Sequence, residues 1–336
     1  MKKSLNAWSV PSEVGFEEMF VSLKKAGFDA VDLSFGKVNP NDDPLHRPDR
    51  EGFALSLAAH ARELGMGFVQ AHAPFRVKYS DKFDRTTPAY DDVVRTLEFA
   101  AAAGIPRVVV HALKTPPDDL SLDYREVSRR YYLSLAPYCE KLGVVIAVEN
   151  LFYREERTGT YYGLFPTPCM MTEFVRSLND RSLNDQSLNV RSLNVQSLND
   201  RSLNDRSLND NRSADRSCFS VCCDLGHTAV TGLAPEQYIR GMSADLLGSL
   251  HVQDTDFLGD RHTLPYMGKQ DWDAICRALA DIGYRGDFSF ELPKYLAAYP
   301  DELLPAALEF AAATGRYLIE KIDRMSGMSR TSRTEL

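Results

Sequence analysis

An alternation constrains this chain more than any other feature. Eight short runs rich in apolar and β-branched residues are each followed by an amphipathic helical stretch. Strands are expected at Leu5–Ser9, Ala30–Phe35, Gly67–Ala73, Arg107–Leu113, Val144–Asn150, Phe219–Asp224, Ser249–Gln253 and Asp287–Leu292. Helices are expected at Phe16–Ala26, Phe53–Leu64, Tyr90–Ala103, Tyr124–Leu142, Met170–Leu178, Pro235–Gly241, Trp272–Ile282 and Glu302–Ile322. Glycine stands just after five helical stretches, at Gly27, Gly65, Gly104, Gly143 and Gly283, as a left-handed C-cap requires. Strands that each lead into a helical crossover must run parallel. Runs such as Val144–Val148 are continuously apolar, as strands buried on both faces are. Eight units of this kind predict an α/β fold, a single (β/α)8 TIM barrel. A doubly wound open sheet is the alternative, but no Gly-rich phosphate turn follows the first strand.

One segment breaks the pattern. Residues 176–210 are tandem pentads of the form Arg/Gln-Ser-Leu-Asn-Asp/Val, running on into a related stretch to Ser217. A period of five matches neither helix nor strand, so its leucines share no face. One Leu per pentad buries too little to offset chain entropy, and disorder is expected. The low-complexity insert falls between helix five and strand six, which places its exit at the N-terminal end of the barrel, away from the chemistry. The expected organisation is a barrel over 1–324, interrupted by 176–217, with a disordered tail at 325–336. Without the 42-residue insert, 294 residues remain, a barrel-sized core.

The insert's seven Arg and six Asp leave it at +1, so of the chain's formal charge of −8 the remaining 294 residues carry −9. That balance argues against a nucleic-acid partner, which needs clustered Lys and Arg. The apolar run after Lys2-Lys3 is broken by Asn6, Ser9, Pro11 and Glu13, so no signal peptide is expected, and no run is long enough to span a bilayer. Six cysteines without paired spacing read as reduced thiols. A cytoplasmic protein without a membrane partner is the expectation.

The chemistry-bearing residues collect at one end of the repeats. Five of seven histidines, His72, His111, His227, His251 and His262, fall at the C-terminal end of a proposed strand or in the loop after it. Glu149, Asp224 and Glu291 do the same, and Asp260 lies in the loop after the seventh strand. A carboxylate ending a buried strand is costly without a compensating cation, and no matching set of Arg stands at those ends. Imidazoles and carboxylates converging from several strands describe a divalent metal site, one that suits Mn, Co, Zn, Fe or Mg better than Ca. Aromatic residues of the 150–169 loop, Phe152, Tyr153, Tyr161, Tyr162 and Phe165, suit stacking on a sugar. Ser34–Arg50 is a candidate lid. Lys114, Arg154, Arg261 and Lys269 could meet a phosphate, although solubilising charge is the plainer role for each.

The segments Ala71-His72-Ala73-Pro74, Val110-His111-Ala112, Ala147-Val148-Glu149-Asn150, Cys223-Asp224-Leu225-Gly226-His227, His251-Val252-Gln253-Asp254, Asp260-Arg261-His262 and Phe290-Glu291-Leu292 resemble the xylose isomerase-like TIM-barrel superfamily, the sugar phosphate isomerases and epimerases that also include endonuclease IV. The resemblance covers all but the pentads and tail. In the isomerase and epimerase branch it implies one metal held by Glu149, Asp224, His251 and Glu291, with Glu149 and Glu291 as the catalytic pair. Set beside endonuclease IV, it implies that His72, His111, His227, Asp260 and His262 are further metal or substrate ligands. The function it implies is a metal-dependent sugar or sugar-phosphate isomerase or epimerase working through an enediolate, on a small carbohydrate, with homo-oligomer assembly left open. An endonuclease IV-like phosphodiesterase and a sugar or cyclitol dehydratase are the alternatives.

Overall fold

The computed structural model describes residues 1–10, 14–35, 43–75, 85–113, 123–180 and 217–334, with side chains through Gly327. Eight parallel strands make one sheet: β1 (Lys3–Asn6), β2 (Ala30–Ser34), β3 (Gly67–His72), β4 (Arg107–Val110), β5 (Val145–Glu149), β8 (Phe219–Asp224), β9 (Leu247–His251) and β10 (Phe288–Phe290). Their order is β10-β1-β2-β3-β4-β5-β8-β9. The seam between β9 and β10 is joined just past the strand ends, where Val252 N donates to Ser289 O at 2.8 Å and Glu291 N donates to Val252 O at 3.1 Å. This is the eight-stranded barrel the alternation predicts. No helix among the described residues is long and apolar enough to cross a membrane.

The helices form where sequence and cap agree. Phe16–Ala26 carries Glu17 and Glu18 in its first turn, Lys24 and Lys25 in its last, and ends on Gly27 at φ 97°. Thr87 and Thr167 each cap a helix that starts on proline, accepting from Tyr90 N and Met170 N. Three segments differ from the sequence reading. Ala7–Ser9 is a 3-10 turn rather than strand. The 150–169 loop contains an antiparallel hairpin of β6 (Leu151–Arg154) and β7 (Tyr161–Leu164). The last helix spans Leu304–Thr334, helical where the sequence suggests a disordered tail.

Strand alternation divides the two faces. On β5, Ile146 and Val148 join the main core under the helices, while Ala147 packs with Val109 and Cys222 in a separate cluster inside the barrel. The inward face turns polar toward the top. Asn6, Asp32, Gln70 and Ser289 are buried there beneath His72, Glu149, Asp224, His251 and Glu291. Val145–Val148 is thus apolar on both registers, as the sequence predicts, and the inward register turns polar only where the strands approach the site.

The first pentad is ordered, Arg176–Asn179 forming the end of the helix Pro168–Asn179, while residues 181–216, and with them the expected disorder of the other pentads, lie outside the described residues. Their flanks are pinned together: Asn179 Nδ2 donates to Phe219 O at 3.0 Å, and Phe219 N donates to Asn179 Oδ1 at 3.1 Å. This junction sits at the start of β8, the end opposite Asp224. Part of the candidate lid, 36–42, and Lys114 also lie outside the described residues.

Candidate metal centre

The upper inward layer brings the predicted residues together. Ligand atoms of Glu149, Asp224, His251 and Glu291 all lie within 4.8 Å of one another, and all four residues are buried. His251 Nδ1 stands 2.8 Å from Glu149 Oε1, 3.4 Å from Glu291 Oε2 and 4.0 Å from Asp224 Oδ2. Glu149 is the hub. His111 Nε2 lies 2.9 Å from its Oε2, His72 Nε2 lies 3.5 Å from the same oxygen, and His227 Nδ1 lies 3.7 Å from its Oε1. The remaining pair is adjacent: His262 Nε2 is 2.7 Å from Asp260 Oδ2, and His227 Nε2 is 3.8 Å from Asp224 Oδ2.

The tautomers show what this layer needs. His72 Nδ1 bonds Ala73 O at 2.8 Å, and His227 Nδ1 bonds Asn150 O at 2.9 Å. A carbonyl only accepts, so Nδ1 carries the proton in both rings and a neutral ring presents a bare Nε2 to a carboxylate. Acceptor then faces acceptor, and either a proton or a cation must lie between. Mixed imidazole and carboxylate donors fit a divalent transition metal.

Without a metal, protons take its place electrostatically. Burial disfavours charge on His72, yet Glu149 beside it raises the ring above the usual histidine range, and burial of His227 is outweighed by Asp224 and Glu149. Burial alone would raise Glu149, but His251 and His111 hold it well below the usual carboxylate range. For Glu291 burial wins, and its carboxyl is raised. Burial of His262 is overcome by its bond to Asp260 and the charge of Glu291, which raise it to about 9.

Sequence reasoning missed the residues that hold these ligands in place. Gln253 Nε2 donates to Asp224 Oδ1 and Oδ2 at 3.2 and 3.1 Å, while its Oε1 accepts from His262 N at 2.8 Å. Asn150 pairs reciprocally with the Asp224 backbone, at 3.0 and 2.8 Å. Asp32 lies 3.4 Å from His251 Nε2. For Asp32 the signal available was register, a polar residue at an inward position between Val31 and Leu33; Asn150 and Gln253 stand beside the acidic Glu149 and Asp254, where no apolar contrast marks them.

The aromatic expectation divides. Phe152 lies edge-on to His227 at 4.9 Å and against Tyr161 at 5.1 Å, so these two rings reach the site. Tyr153 and Tyr162 stack on each other at 5.0 Å, and Phe165 packs in the core against Phe174 at 4.5 Å. Trp8, Phe75 and His111 form another aromatic wall, at 5.5 Å between the first two and 5.1 Å between the last two. Of the phosphate candidates, Arg261 is engaged by Asp256 at 3.0 Å.

The sequence matches the family described as "Xylose isomerase-like TIM barrel" over residues 20–183 and 211–314. The chain belongs to that family. It is also similar to a D-psicose 3-epimerase solved in the presence of D-fructose, at 16% identity and TM-score 0.66, covering 95% of this chain and 99% of that one. A structure of IOLI protein with a binding zinc atom aligns at 17% identity and TM-score 0.63, over 97% and 99% of the two chains. At these identities the likeness establishes the fold. A curated relative, "Uncharacterized protein y4fM" of Sinorhizobium fredii (strain NBRC 101917 / NGR234), is 36% identical over 74 residues. That match spans only 22% of this chain and 23% of the relative's length.

Proposed function

We propose that this protein is a divalent-metal-dependent carbohydrate isomerase or epimerase, working by proton transfer at a carbon next to a carbonyl. The observation that carries the reading is the buried set Glu149, Asp224, His251 and Glu291, its ligand atoms within 4.8 Å at the C-terminal end of the barrel. Solved proteins of like fold include several described as sugar 3-epimerases and a 3-keto-D-glucoside 4-epimerase. The zinc in one neighbour supports a divalent metal, with Mn, Co and Mg equally compatible with the donor set. The bound metal supplies Lewis-acid stabilisation of charge developing on the substrate oxygens.

The chain's own residues do the rest. Glu149 and Glu291 approach from β5 and β10, three strands apart around the barrel, and move the proton to and from carbon. Phe152 and Tyr161 offer an apolar face to the sugar and keep water from it. His72, His111 and His227 surround the substrate with polar contacts. We propose a small carbohydrate as the sole substrate class, and a cytoplasmic location; a homo-oligomer remains compatible with this reading.

In deuterated buffer with Mn, a ketose or aldose substrate should acquire solvent deuterium. Glu149→Gln and Glu291→Gln should each lower that exchange by about a hundredfold or more, as expected for loss of a proton-transfer group. Exchange retained in either variant removes that residue's role as base. Metal analysis of the purified protein should find a bound divalent ion.

A second reading has one observation in its favour. His227, Asp260 and His262 extend the ligand set beyond the first four residues, as a multinuclear phosphodiesterase requires. The net charge of −8 weighs against a DNA surface. Cleavage of an abasic-site oligonucleotide would decide for it.

A further inference from the structure

Asp32 sits in mid β2, inward between Val31 and Leu33, and is fully buried. Its Oδ2 accepts from Asn6 Nδ2 at 3.1 Å, Gln70 Nε2 at 2.8 Å and Ser289 Oγ at 3.0 Å, donors that come from β1, β3 and β10. Three strands thus spend polar side chains on one carboxylate inside the barrel, where apolar residues would pack at lower cost. All three donors are neutral. Among the described residues its one ion-pair contact is His251 Nε2, at 3.4 Å.

His251 is oriented unlike the other site imidazoles. His72 and His227 commit Nδ1 to a backbone carbonyl. His251 instead turns Nδ1 into the ligand cluster, within 2.8 Å of Glu149, and Nε2 back toward Asp32. A ring that offers Nδ1 to a cation must carry its proton on Nε2, and a carboxylate facing Nε2 selects that tautomer. The 3.4 Å contact is longer than a formed N–H···O bond. That contact is to Asp32 Oδ2, which already accepts from three donors, while the other carboxylate oxygen, Oδ1, and His251 Nε2 are both buried with no hydrogen-bond partner, so the carboxylate has an oxygen left to take the Nε2 proton.

We propose that Asp32 is a positioning residue for the metal centre: it holds His251 as the Nε2–H tautomer, with Nδ1 aimed at the ion, and increases the donor strength of that nitrogen. The proposal rests on the metal-dependent reading above.

The test is cobalt(II) binding to the metal-free full chain, followed by calorimetry and by the visible spectrum of the bound ion. Asp32→Asn keeps the shape and an acceptor for Gln70 and Ser289 but removes the charge. Its cobalt affinity should fall about 10- to 100-fold, with an altered visible spectrum and a metal-free unfolding midpoint within a few degrees of the wild type. Affinity within twofold of wild type overturns the role of Asp32 and leaves the metal reading standing. A wild-type protein that takes up no divalent ion overturns the metal reading, and this inference with it. Should Asp32→Asn not fold, nitrogen-15 spectra of histidine-labelled, zinc-loaded wild type decide instead. His251, assigned by its loss in His251→Gln, should show a protonated Nε2 and a metal-shifted Nδ1. A protonated Nδ1 overturns the proposal.

Discussion

Whether a buried ionisable residue is structural or chemical depends on what it faces, and Asp260 and His262 allow a direct test. The two side chains meet at 2.7 Å, and His262 is nearly inaccessible to water. Burial disfavours its charge, but the bond to Asp260 and the charge of Glu291 raise the ring to about 9, while Asp260 is held well below the usual carboxylate range by His262 despite its own burial. The folded pKa of the histidine is raised, so its stabilisation is complete below the unfolded value near 6.5 and is lost as pH rises through about 9. In the metal-free protein this group alone should contribute roughly 3 kcal/mol of pH-dependent stability across that window. Unfolding of the wild type and Asp260→Asn, compared at pH 6.5 and 9.5, measures it. The variant's profile should be flatter; parallel profiles would mean that the pair holds no charge. The nine candidate residues stood out individually in the sequence because polar chemistry at strand ends is visible against apolar runs. Asp32 was not, because a single Asp inside Ala30-Val-Asp-Leu-Ser looks like a break in a strand until its neighbours supply Asn6, Gln70 and Ser289.

At the scale of elements, the strands were legible to within a few residues because the apolar run repeats eight times and a glycine cap closes five of the intervening helices. The hairpin was not. Leu151–Arg154 and Tyr161–Leu164 are four-residue strands, too short for a periodic signal, and only their pairing around the turn with Gly159 at φ 70° makes them a unit. The short helix Leu225–Val230 was missed for the same reason, although it matters to the site. Asp224 caps it, accepting from His227 N at 2.7 Å, and the helix packs so tightly on β9 that a Cβ at Gly226 would collide with the Gln253 amide. Gly226→Ala should therefore push Gln253 away from Asp224 and His262 and loosen two ligands together. The expected result is metal affinity reduced by about tenfold or more, the range found when groups supporting a ligand are disturbed, with secondary structure by circular dichroism unchanged. Unaltered affinity would show that Gln253 can move aside freely.

For the whole molecule, the question is why a barrel tolerates a repeat of this size. The barrel concentrates its chemistry at the C-terminal ends of the strands and leaves the opposite end to stability. The insert leaves after Asn179 and the chain re-enters at Phe219, and the paired hydrogen bonds between these two residues close the barrel across the gap. The chain can thus lengthen there without moving Asp224, which lies at the far end of the same strand. Replacing residues 181–216 by a four-residue Gly-Ser linker should leave metal content and deuterium exchange unchanged. It should also stabilise the fold, because shortening the loop closed by Asn179 and Phe219 roughly sixfold, or about two and a half halvings, recovers about 1.5 kcal/mol of closure entropy. Denaturant unfolding and exchange rates, measured on the same preparation, separate the two effects. Lost exchange in a stable deletion would give the pentads a part in the chemistry, while lost stability would mean that they pack against the barrel. Asn179→Ala in the shortened chain should cost about 1–2 kcal/mol, since it breaks both bonds of the junction.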